Sequence, residues 1–574
     1  MGIPSYFAHV LKKYPHVIKR LSELQRIHNL YLDSNGMIYE VVRQMQYTPE
    51  NNDAFEAEML QRICESIDAC IALLSPTDRV FIAFDGVAPV AKLNQQRERR
   101  YKSWYLGEME AQRRKAKGDG KAKGAPKPAW NTSAITPGTK FMNALHEKLV
   151  QHYGAATTIT QSTGPTIIVS SSQEPGEGEH KIFEYIREHA AEHADKTTVI
   201  YGLDADLIML CMSHLHISRS IYLYRETPAF AGSVHVALDE KEKYYMDIPE
   251  FATGTQVSAG PVKGVWGAKA RLVPSRCAPV APQLDYIFMC FMLGNDFMPH
   301  FPALNIRTTG IATLMDAYRA TFGPGETIIQ AVTATTATTA TSRWTIHWPN
   351  YRRFVAHLAA QELTLIRKEH VTRDRQARHL RDSDIEDDVM HDVLMLPMTQ
   401  RDVERQINPF EPGWERRYYA ALCDIHVDDV NDNAIASLCR NYLEGMEWTF
   451  RYYTSGCVDW KWTYANHYPP LLSDLAKHIP SEDNAFSFLR VKPKEPIRDL
   501  VQLCYVLPRA SHALLPPAAE RALMQSKFRS KYTDDGSPNF KWAYCKYFWE
   551  CHTDLPELDL EELAQIVSNV PNMN

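Results

Sequence analysis

Four short apolar segments separated by helical patterns constrain the fold of this chain more than any other feature. The segments, each long enough for one strand, are Asn29–Leu32, Val80–Phe84, Thr166–Ser170 and Thr198–Leu203. Helical patterns lie between them at Glu56–Leu74, Ala91–Arg114, Thr139–His152 and His180–His193. Parallel strands need helical crossovers of this kind. The sequence therefore predicts an α/β fold with a mostly parallel central sheet flanked by helices.

Composition excludes several classes of protein. The chain has 574 residues, of which 45% are apolar, so it can bury a large core. Its net charge of −6 argues against a basic nucleic-acid coat protein, and no window approaches the roughly 18 apolar residues of a membrane span. The N-terminus lacks the apolar core of a signal peptide. Eleven cysteines without a CxxC pair favour free thiols in a reducing compartment, with cytosol and nucleus both open.

A low-complexity stretch at 331–345 is predicted to be a linker between two regions, 1–330 and 346–574. Composition also predicts three loops, the basic Arg113–Lys127, the long Thr253–Pro279 and the acidic Arg381–Asp392. The basic loop admits three roles, a nuclear signal, an RNA-contacting loop or only a solvated loop, of which the last two are favoured.

Acidic residues follow the predicted strands or stand at turns. They are Asp33, Asp85, Glu177, Glu179, Asp204, Asp206 and Asp296. One acid at a strand end is usually a cap or a solvated turn residue. In a parallel sheet, however, these ends share one edge, and carboxylates that converge there must be protonated or bound to cations. Oxygen ligands suit Mg²⁺ or Mn²⁺, and two such ions can promote phosphodiester hydrolysis.

A basic face follows the second strand. Lys92, Gln96, Arg99 and Arg100 stand at i, i+4, i+7 and i+8, which places them on one side of a helix. A solvated helix surface is the alternative to a functional role. Because the face begins seven residues after Asp85, a phosphate near the predicted metals could reach it.

Together these blocks resemble the XRN-type 5′-to-3′ exoribonucleases, relatives of the flap-endonuclease and PIN-like nucleases. The matching segments run from Met1 to Pro516 and include MGIPSYF, LYLDSN, FIAFDGVAPVAKLNQQRERR, EPGEGEHKIFEYIR, IYGLDADLIML and FMLGNDFMPH. The resemblance implies that the seven acids bind the catalytic metals. It also implies that Lys92, Gln96, Arg99 and Arg100 hold the 5′ monophosphate of the substrate. Region 1–330 would be the PIN-like nuclease, and region 346–574 would complete the substrate channel.

The resemblance further implies that two aromatic side chains sandwich the first base. Tyr39 stands where the family has a histidine, and its ring can still stack on a base. The partner is predicted to be Trp460, with Trp462 as the alternative. An ordinary core position is the competing interpretation for either tryptophan.

The expected activity is processive 5′-to-3′ hydrolysis of single-stranded RNA with a 5′ monophosphate, releasing nucleoside 5′-monophosphates by a two-metal mechanism. The chain ends before the C-terminal extensions of larger members, so a compact, monomeric catalytic unit is expected. Decapping or RNA-processing proteins are the expected partners, in RNA decay or maturation. A flap-type endonuclease and an inactive RNA-binding scaffold are the competing functions, although a scaffold would be expected to lack the acids.

Overall fold

The structure is a computed structural model. It describes residues 3, 5–116, 129–154, 164–225, 238–239, 242–255, 280–332, 344–382, 389–426, 432–482, 486–489, 495–532, 539–568 and 570.

A seven-stranded sheet forms the centre of the N-terminal half. Its strands are β1 (Ile18–Arg20), β2 (Asn29–Asp33), β3 (Arg79–Ala83), β4 (Thr166–Ser170), β5 (Thr197–Tyr201), β6 (Ser220–Tyr224) and β7 (Tyr244–Asp247). Their spatial order is β1-β7-β6-β5-β2-β3-β4. The five strands from β6 to β4 are mutually parallel, and β7 pairs antiparallel with both β6 and β1. The predicted α/β fold with a mostly parallel sheet is therefore confirmed.

The four predicted strands are all present, with ends shifted by no more than two residues. Strands β1, β6 and β7 were not predicted. They lie on the side of the sheet away from β4. No long apolar run marks them in the sequence, and their pairing with neighbouring strands identifies them.

The two faces of the sheet carry separate cores. Leu30 and Leu32 of β2 pack into one core, whereas Tyr31 between them packs into the other. Successive side chains of a strand point to opposite faces of the sheet. Because both faces of this sheet are apolar, helices must cover both of them.

The N-terminal half contains eleven helices among the described residues. They are α1 (Tyr6–Lys13), α2 (Asn35–Gln44), α3 (Asn52–Leu74), α4 (Val90–Ala116), α5 (Lys140–Tyr153), α6 (Gly178–Glu188), α7 (Ala190–His193), α8 (Asp206–Ser213), α9 (Ile248–Gly254), α10 (Ala281–Cys290) and α11 (Gly310–Thr321). This list, like the next, covers only the described ranges.

The C-terminal half is mainly helical. Its helices are α12 (Trp348–Ala359), α13 (Glu362–Asp382), α14 (Val389–Leu394), α15 (Leu396–Thr399), α16 (Asp402–Ile407), α17 (Trp414–Leu422), α18 (Asp432–Thr454), α19 (Leu472–His478), α20 (Asp499–Val506), α21 (Pro517–Gln525) and α22 (Leu560–Val567). Two small antiparallel pairs join β8 (Ile329–Ala331) to β9 (Trp344–Ile346) and β10 (Phe540–Lys541) to β11 (His552–Thr553).

Several predicted boundaries were wrong. Helix α4 continues to Ala116, inside the predicted basic loop, and α13 and α14 occupy both ends of the predicted acidic loop. Arginine, lysine, alanine and glutamate are good helix formers, so a charged composition did not exclude a helix there. The predicted helix His180–His193 is interrupted at His189, between α6 and α7. The centres of these two loops, 117–128 and 383–388, lie outside the described residues, as do 256–279 of the third.

The predicted linker is flanked by paired strands, since β8 and β9 meet across it; 333–343 lie outside the described residues. Side chains from both sides of the linker share one core, where the rings of Phe288 and Tyr351 are 5.1 Å apart. The division into regions 1–330 and 346–574 stays a prediction. The cysteines of the described ranges are all free thiols and mostly buried, as expected. No helix within those ranges could span a membrane.

Candidate active site

The sheet brings the seven predicted acids to one edge. Asp33 ends β2, Asp85 follows β3 and Asp204 follows β5, so the parallel strands deliver these three to the same side. Glu177 and Glu179 stand at the start of α6, and Asp206 is the first residue of α8; Asp296 follows the turn after α10. The charges of Asp85, Asp204 and Glu177 act on Asp33, that of Asp296 acts on Glu177 and Asp206, and that of Asp206 acts on Glu179, so the seven acids form one cluster.

The start of α6 is held tightly against two of the strand ends. The amide of Gly178 donates to Asp85 Oδ1 at 2.7 Å. A Cβ atom at Gly178 would lie only 2.9 Å from Asp33 Oδ1, so any larger residue here would push the Asp33 carboxylate aside. Asn35, which sequence reasoning missed, also orients Asp85: its Nδ2 donates to Asp85 Oδ2, and its Oδ1 accepts from the Asp85 amide at 3.2 Å.

Burial and mutual repulsion make the acids resist ionisation. Burial, and then the neighbouring Asp85 and Asp204, raise the pKa of Asp33 well above its ordinary value. Burial, and then the charge of Asp206, raise the pKa of Glu179 well above its ordinary value. Burial raises the pKa of Asp206 to about 6. A cluster of this kind binds protons unless cations replace them.

Two oxygens of the cluster point to a cation. Glu179 Oε2 and Asp206 Oδ1 are buried and have no hydrogen-bond partner among the described residues. An unpaired buried carboxylate oxygen is costly, and an ion would satisfy it. The donor set is all oxygen, which fits Mg²⁺ or Mn²⁺. The residues present therefore fit the metal ions that the resemblance implies.

Lys92 lies inside the acidic cluster. Its Nζ is 2.5 Å from Glu177 Oε2 and 2.7 Å from Asp296 Oδ2, and only 8% of the residue is exposed. Burial alone would lower the pKa of Lys92, but Asp296 and Glu177 raise it well above its ordinary value. Burial likewise opposes ionisation of Asp296, yet the Lys92 ammonium holds its pKa below its usual range. Lys92 is thus a built-in counter-charge at the end of the predicted basic face.

The rest of that face forms a recess with unsatisfied polar atoms. Gln96 is 8% exposed and its Oε1 has no hydrogen-bond partner within the described ranges; the same holds for Arg100 Nη1. Burial, and then the adjacent Arg99, lower the pKa of Arg100 to about 10, so the guanidinium stays charged at neutral pH. Buried, charged and unpaired N–H groups are suited to an anion.

Two tyrosines from α18 reach into the acidic cluster. Tyr452 Oη donates to Glu177 Oε1 at 2.9 Å, and Tyr453 Oη donates to Asp206 Oδ2 at 3.3 Å. The ring of His180 stacks on Tyr452, with centroids 3.6 Å apart. Sequence reasoning missed both tyrosines, because nothing in the sequence shows that α18 packs against the sheet edge.

The predicted stacking residues differ in their surroundings. Trp462 is 8% exposed and stacks on Trp448 with ring centroids 5.1 Å apart, so its ring is part of the core. Trp460 is half-buried, and its carbonyl accepts a hydrogen bond from the amide of Val90 at the start of α4. Tyr39 is 38% exposed and lies close enough to Arg100 to influence its pKa.

Two family models match the chain. One, described as XRN 5'-3' exonuclease N-terminus, matches residues 1–227, and the other, described as Xrn1 helical domain, matches 284–405 and 396–573. The 5'-3' exoribonuclease 2 of Gallus gallus is 27% identical over 99% of this chain and 70% of its own length. The Arabidopsis thaliana protein of that name is 26% identical over 100% of this chain and 68% of its own length. Homo sapiens 5'-3' exoribonuclease 1 is 27% identical over 98% of this chain but only 34% of its own length.

A parallel sheet that gathers carboxylates at its carboxyl edge defines the class, which is that of the PIN-like nucleases. The chain belongs to the XRN 5′-3′ exonuclease family, and is a hydrolase of that kind.

Replacing Gly178 by alanine should disable the site without unfolding the protein. The new Cβ would displace the Asp33 carboxylate, and a displacement of about 1 Å at a catalytic group costs about 10²-fold in rate. The measurement is the turnover rate beside the thermal unfolding midpoint. The matched control is Gly107→Ala on α4, where a Cβ meets nothing within 4 Å. Unchanged turnover in the Gly178 variant would contradict the close approach.

Replacing Tyr452 by phenylalanine should weaken metal binding. It removes only the hydrogen bond to Glu177, and loss of a hydrogen bond that orients a metal ligand costs about 10–100-fold in metal affinity. The Mg²⁺ concentration for half-maximal activity should rise by a similar factor. Tyr418→Phe is the control, since its hydroxyl donates to the carbonyl of Pro469 instead. Equal Mg²⁺ dependence of the two variants would refute the role of Tyr452.

The metal-free protein should lose stability as the pH rises. The pKa values of Asp33, Glu179 and Asp206 are raised in the folded state, so the folded protein binds protons that the unfolded chain releases. Their contribution to the free energy of unfolding is fully present below about pH 4, the pKa of these acids in the unfolded chain. It is lost as the pH rises through their pKa values in the folded protein. Thermal unfolding with chelator should show this fall between about pH 4 and 7. Added Mg²⁺ should reverse it, and a flat profile would contradict the burial of the acids.

Proposed function

We propose that this protein removes nucleotides one at a time from the 5′ end of single-stranded RNA that carries a 5′ monophosphate. The products would be nucleoside 5′-monophosphates. One observation carries the proposal: helix α4 joins the cluster of seven carboxylates, through Lys92, to a recess in which Arg100 Nη1 is buried without a partner among the described residues. The names of the relatives, 5'-3' exoribonucleases, support RNA as the substrate.

In this proposal the recess on α4 binds the terminal phosphate of the substrate. Gln96, Arg99 and Arg100 supply its donors, and Arg100 offers a buried N–H without a partner among the described residues. A recess that matches one phosphate rejects a capped or triphosphorylated end because extra phosphate would have to be buried unpaired. A 5′ hydroxyl leaves the guanidinium groups without their anion.

The acidic cluster is proposed to hold two Mg²⁺ or Mn²⁺ ions through Asp33, Asp85, Glu177, Glu179, Asp204, Asp206 and Asp296. When bound, such ions supply Lewis acidity for hydrolysis of a phosphodiester. The chain itself orients the ligands: Asn35 fixes Asp85, and Tyr452 and Tyr453 fix Glu177 and Asp206. Lys92, at the boundary with the phosphate recess, offsets part of the negative charge around the scissile bond.

We assign the base-stacking role to Tyr39 and Trp460. Tyr39 is exposed beside the recess, and the Trp460 backbone is bound to the start of α4, whereas Trp462 already stacks on Trp448. Stacking on two aromatic faces tolerates any base, which suits an exonuclease that must accept every sequence. After each cleavage the new 5′ phosphate can enter the same recess, and this gives direction and processivity.

Regions 1–330 and 346–574 would then act as one monomeric unit, the first with the metal site and the second closing the channel. Decapping or RNA-processing proteins are the partners that would supply 5′-monophosphorylated ends. A reducing intracellular compartment agrees with the free cysteines.

The test compares otherwise identical RNAs with 5′-monophosphate, 5′-hydroxyl and 5′-triphosphate ends in the presence of Mg²⁺. We expect rapid decay of the first alone, because only one phosphate satisfies Arg100 without burying unpaired charge. Arg100→Gln should reduce this preference by at least about tenfold, in line with the loss of a charge-assisted hydrogen bond. Arg62→Gln is the control, since Arg62 is on the surface of α3, paired with Glu58. Equal decay of all three RNAs would refute the phosphate recess.

The competing functions give different results in the same assay. A flap-type endonuclease would release internal fragments from an internally labelled RNA with a blocked 5′ end. An inactive scaffold would bind RNA and leave it intact. Asp206→Ala should abolish turnover and keep RNA binding, and a fully active variant would refute the metal role of the cluster.

A further inference from the structure

Two imidazoles and one carboxylate that do not belong to the acidic cluster meet in the cavity that Asp296 also lines. Glu98 belongs to α4, His467 to the segment after α18, and His552 to β11. One ligand atom from each lies within 4.8 Å of the other two. We propose that this triad binds one transition-metal ion of the Zn²⁺ type.

The orientation of His467 is the second observation that points to a metal. Its Nε2 lies 2.9 Å from Asp554 Oδ1, and Asn539 Nδ2 donates to the other oxygen of Asp554 at 2.9 Å. A proton on Nε2 leaves Nδ1 with its lone pair, and Nδ1 lies 3.9 Å from Glu98 Oε1. A carboxylate that binds the far nitrogen of a histidine in this way fixes the ring and its tautomer for metal binding.

The two oxygens of Glu98 have separate surroundings. Lys102 Nζ lies 3.8 Å from Oε2 and also donates to the carbonyl of Cys551 at 2.6 Å. Oε1 faces His467 instead. The Thr553 amide also hydrogen-bonds to Glu98, and the Lys102 ammonium offsets the charge on the Oε2 side, so Oε1 is the oxygen that His467 approaches.

His552 completes the triad from the opposite side. Its ring stacks on that of His467, with centroids 5.2 Å apart and planes at 27°. The ligand atoms of a four-coordinate Zn²⁺ site are about 3.4 Å apart, given metal–ligand bonds of about 2.0–2.1 Å. The 3.9 Å between His467 Nδ1 and Glu98 Oε1 needs only a side-chain adjustment to reach this separation.

The chemistry of the donors selects the ion. Two imidazole nitrogens and one carboxylate oxygen favour Zn²⁺ over the Mg²⁺ that an all-oxygen cluster prefers. All three residues line a cavity of about 1320 Å³, so a fourth position is open to water or to a small ligand. An ion here would join three segments that are distant in the sequence, and would stabilise the contact between α4 and the C-terminal strand pair.

The experiment uses the full chain carrying Asp204→Ala and Asp206→Ala, which removes most metal binding by the acidic cluster. The protein is loaded with Zn²⁺, freed of excess by gel filtration, and its zinc content is measured by mass spectrometry. We expect one equivalent of zinc, and loss of it in His467→Gln and in His552→Gln. Substituted Co²⁺ should give the strong visible absorption of a four-coordinate site with nitrogen ligands, lost in the same variants.

Controls separate this site from others. His478→Gln changes an exposed histidine that contacts only the backbone of its own helix in the described structure, and it should keep the zinc. Asp554→Asn keeps all three ligands and should weaken zinc affinity by about 10–100-fold. If His552→Gln does not fold, His467→Gln, on a more exposed segment, carries the test. No retained zinc, or zinc unchanged in His467→Gln, would overturn the proposal.

Discussion

Carboxylates gathered at the carboxyl edge of the sheet repel one another, and much of the surrounding structure serves to offset that repulsion. Parallel strands bring Asp33, Asp85 and the acids around β5 to one edge, and burial makes their ionisation costly. The fold offsets this cost in three ways. Lys92 supplies a positive charge, Gly178 and Asn35 donate hydrogen bonds to Asp85, and unpaired oxygens remain where cations fit.

Helix α4 links the functional parts of the molecule. Its first turn carries Lys92 into the acidic cluster, the next turns carry Gln96 and Arg100 of the proposed phosphate recess, and Glu98 also belongs to this helix. A helix is stiff over this distance, so in the proposed function its 1.5 Å rise per residue would set the separation between the terminal phosphate and the metals. This rigidity is what an exonuclease needs to cleave at a constant distance from the end.

The mainly helical second half completes the site rather than forming a separate body beside it. Tyr452 and Tyr453 of α18 hold two of the acids, and their ring contacts with His180 and Phe291 bury the cluster. Burial raises the energy of every charge in the site and therefore strengthens its interaction with ions and phosphate. The net charge of −6, which argued against a nucleic-acid partner, is compatible with one because the acids are concentrated at a single edge.

Three features could be read from local patterns: the parallel strands, the seven acids at strand ends and turns, and the cationic face of α4, because strand period, helix period and position after a strand are local properties. It did not determine the ends of the charged helices, since charge does not distinguish a solvated helix from a loop. Long-range packing sets four other features: Lys92 enters the acidic cluster, Tyr452 and Tyr453 hydrogen-bond to two of its acids, Trp462 belongs to the core, and Glu98, His467 and His552 meet. Each of these depends on contacts between residues far apart in the chain, which are fixed by packing and leave no local pattern.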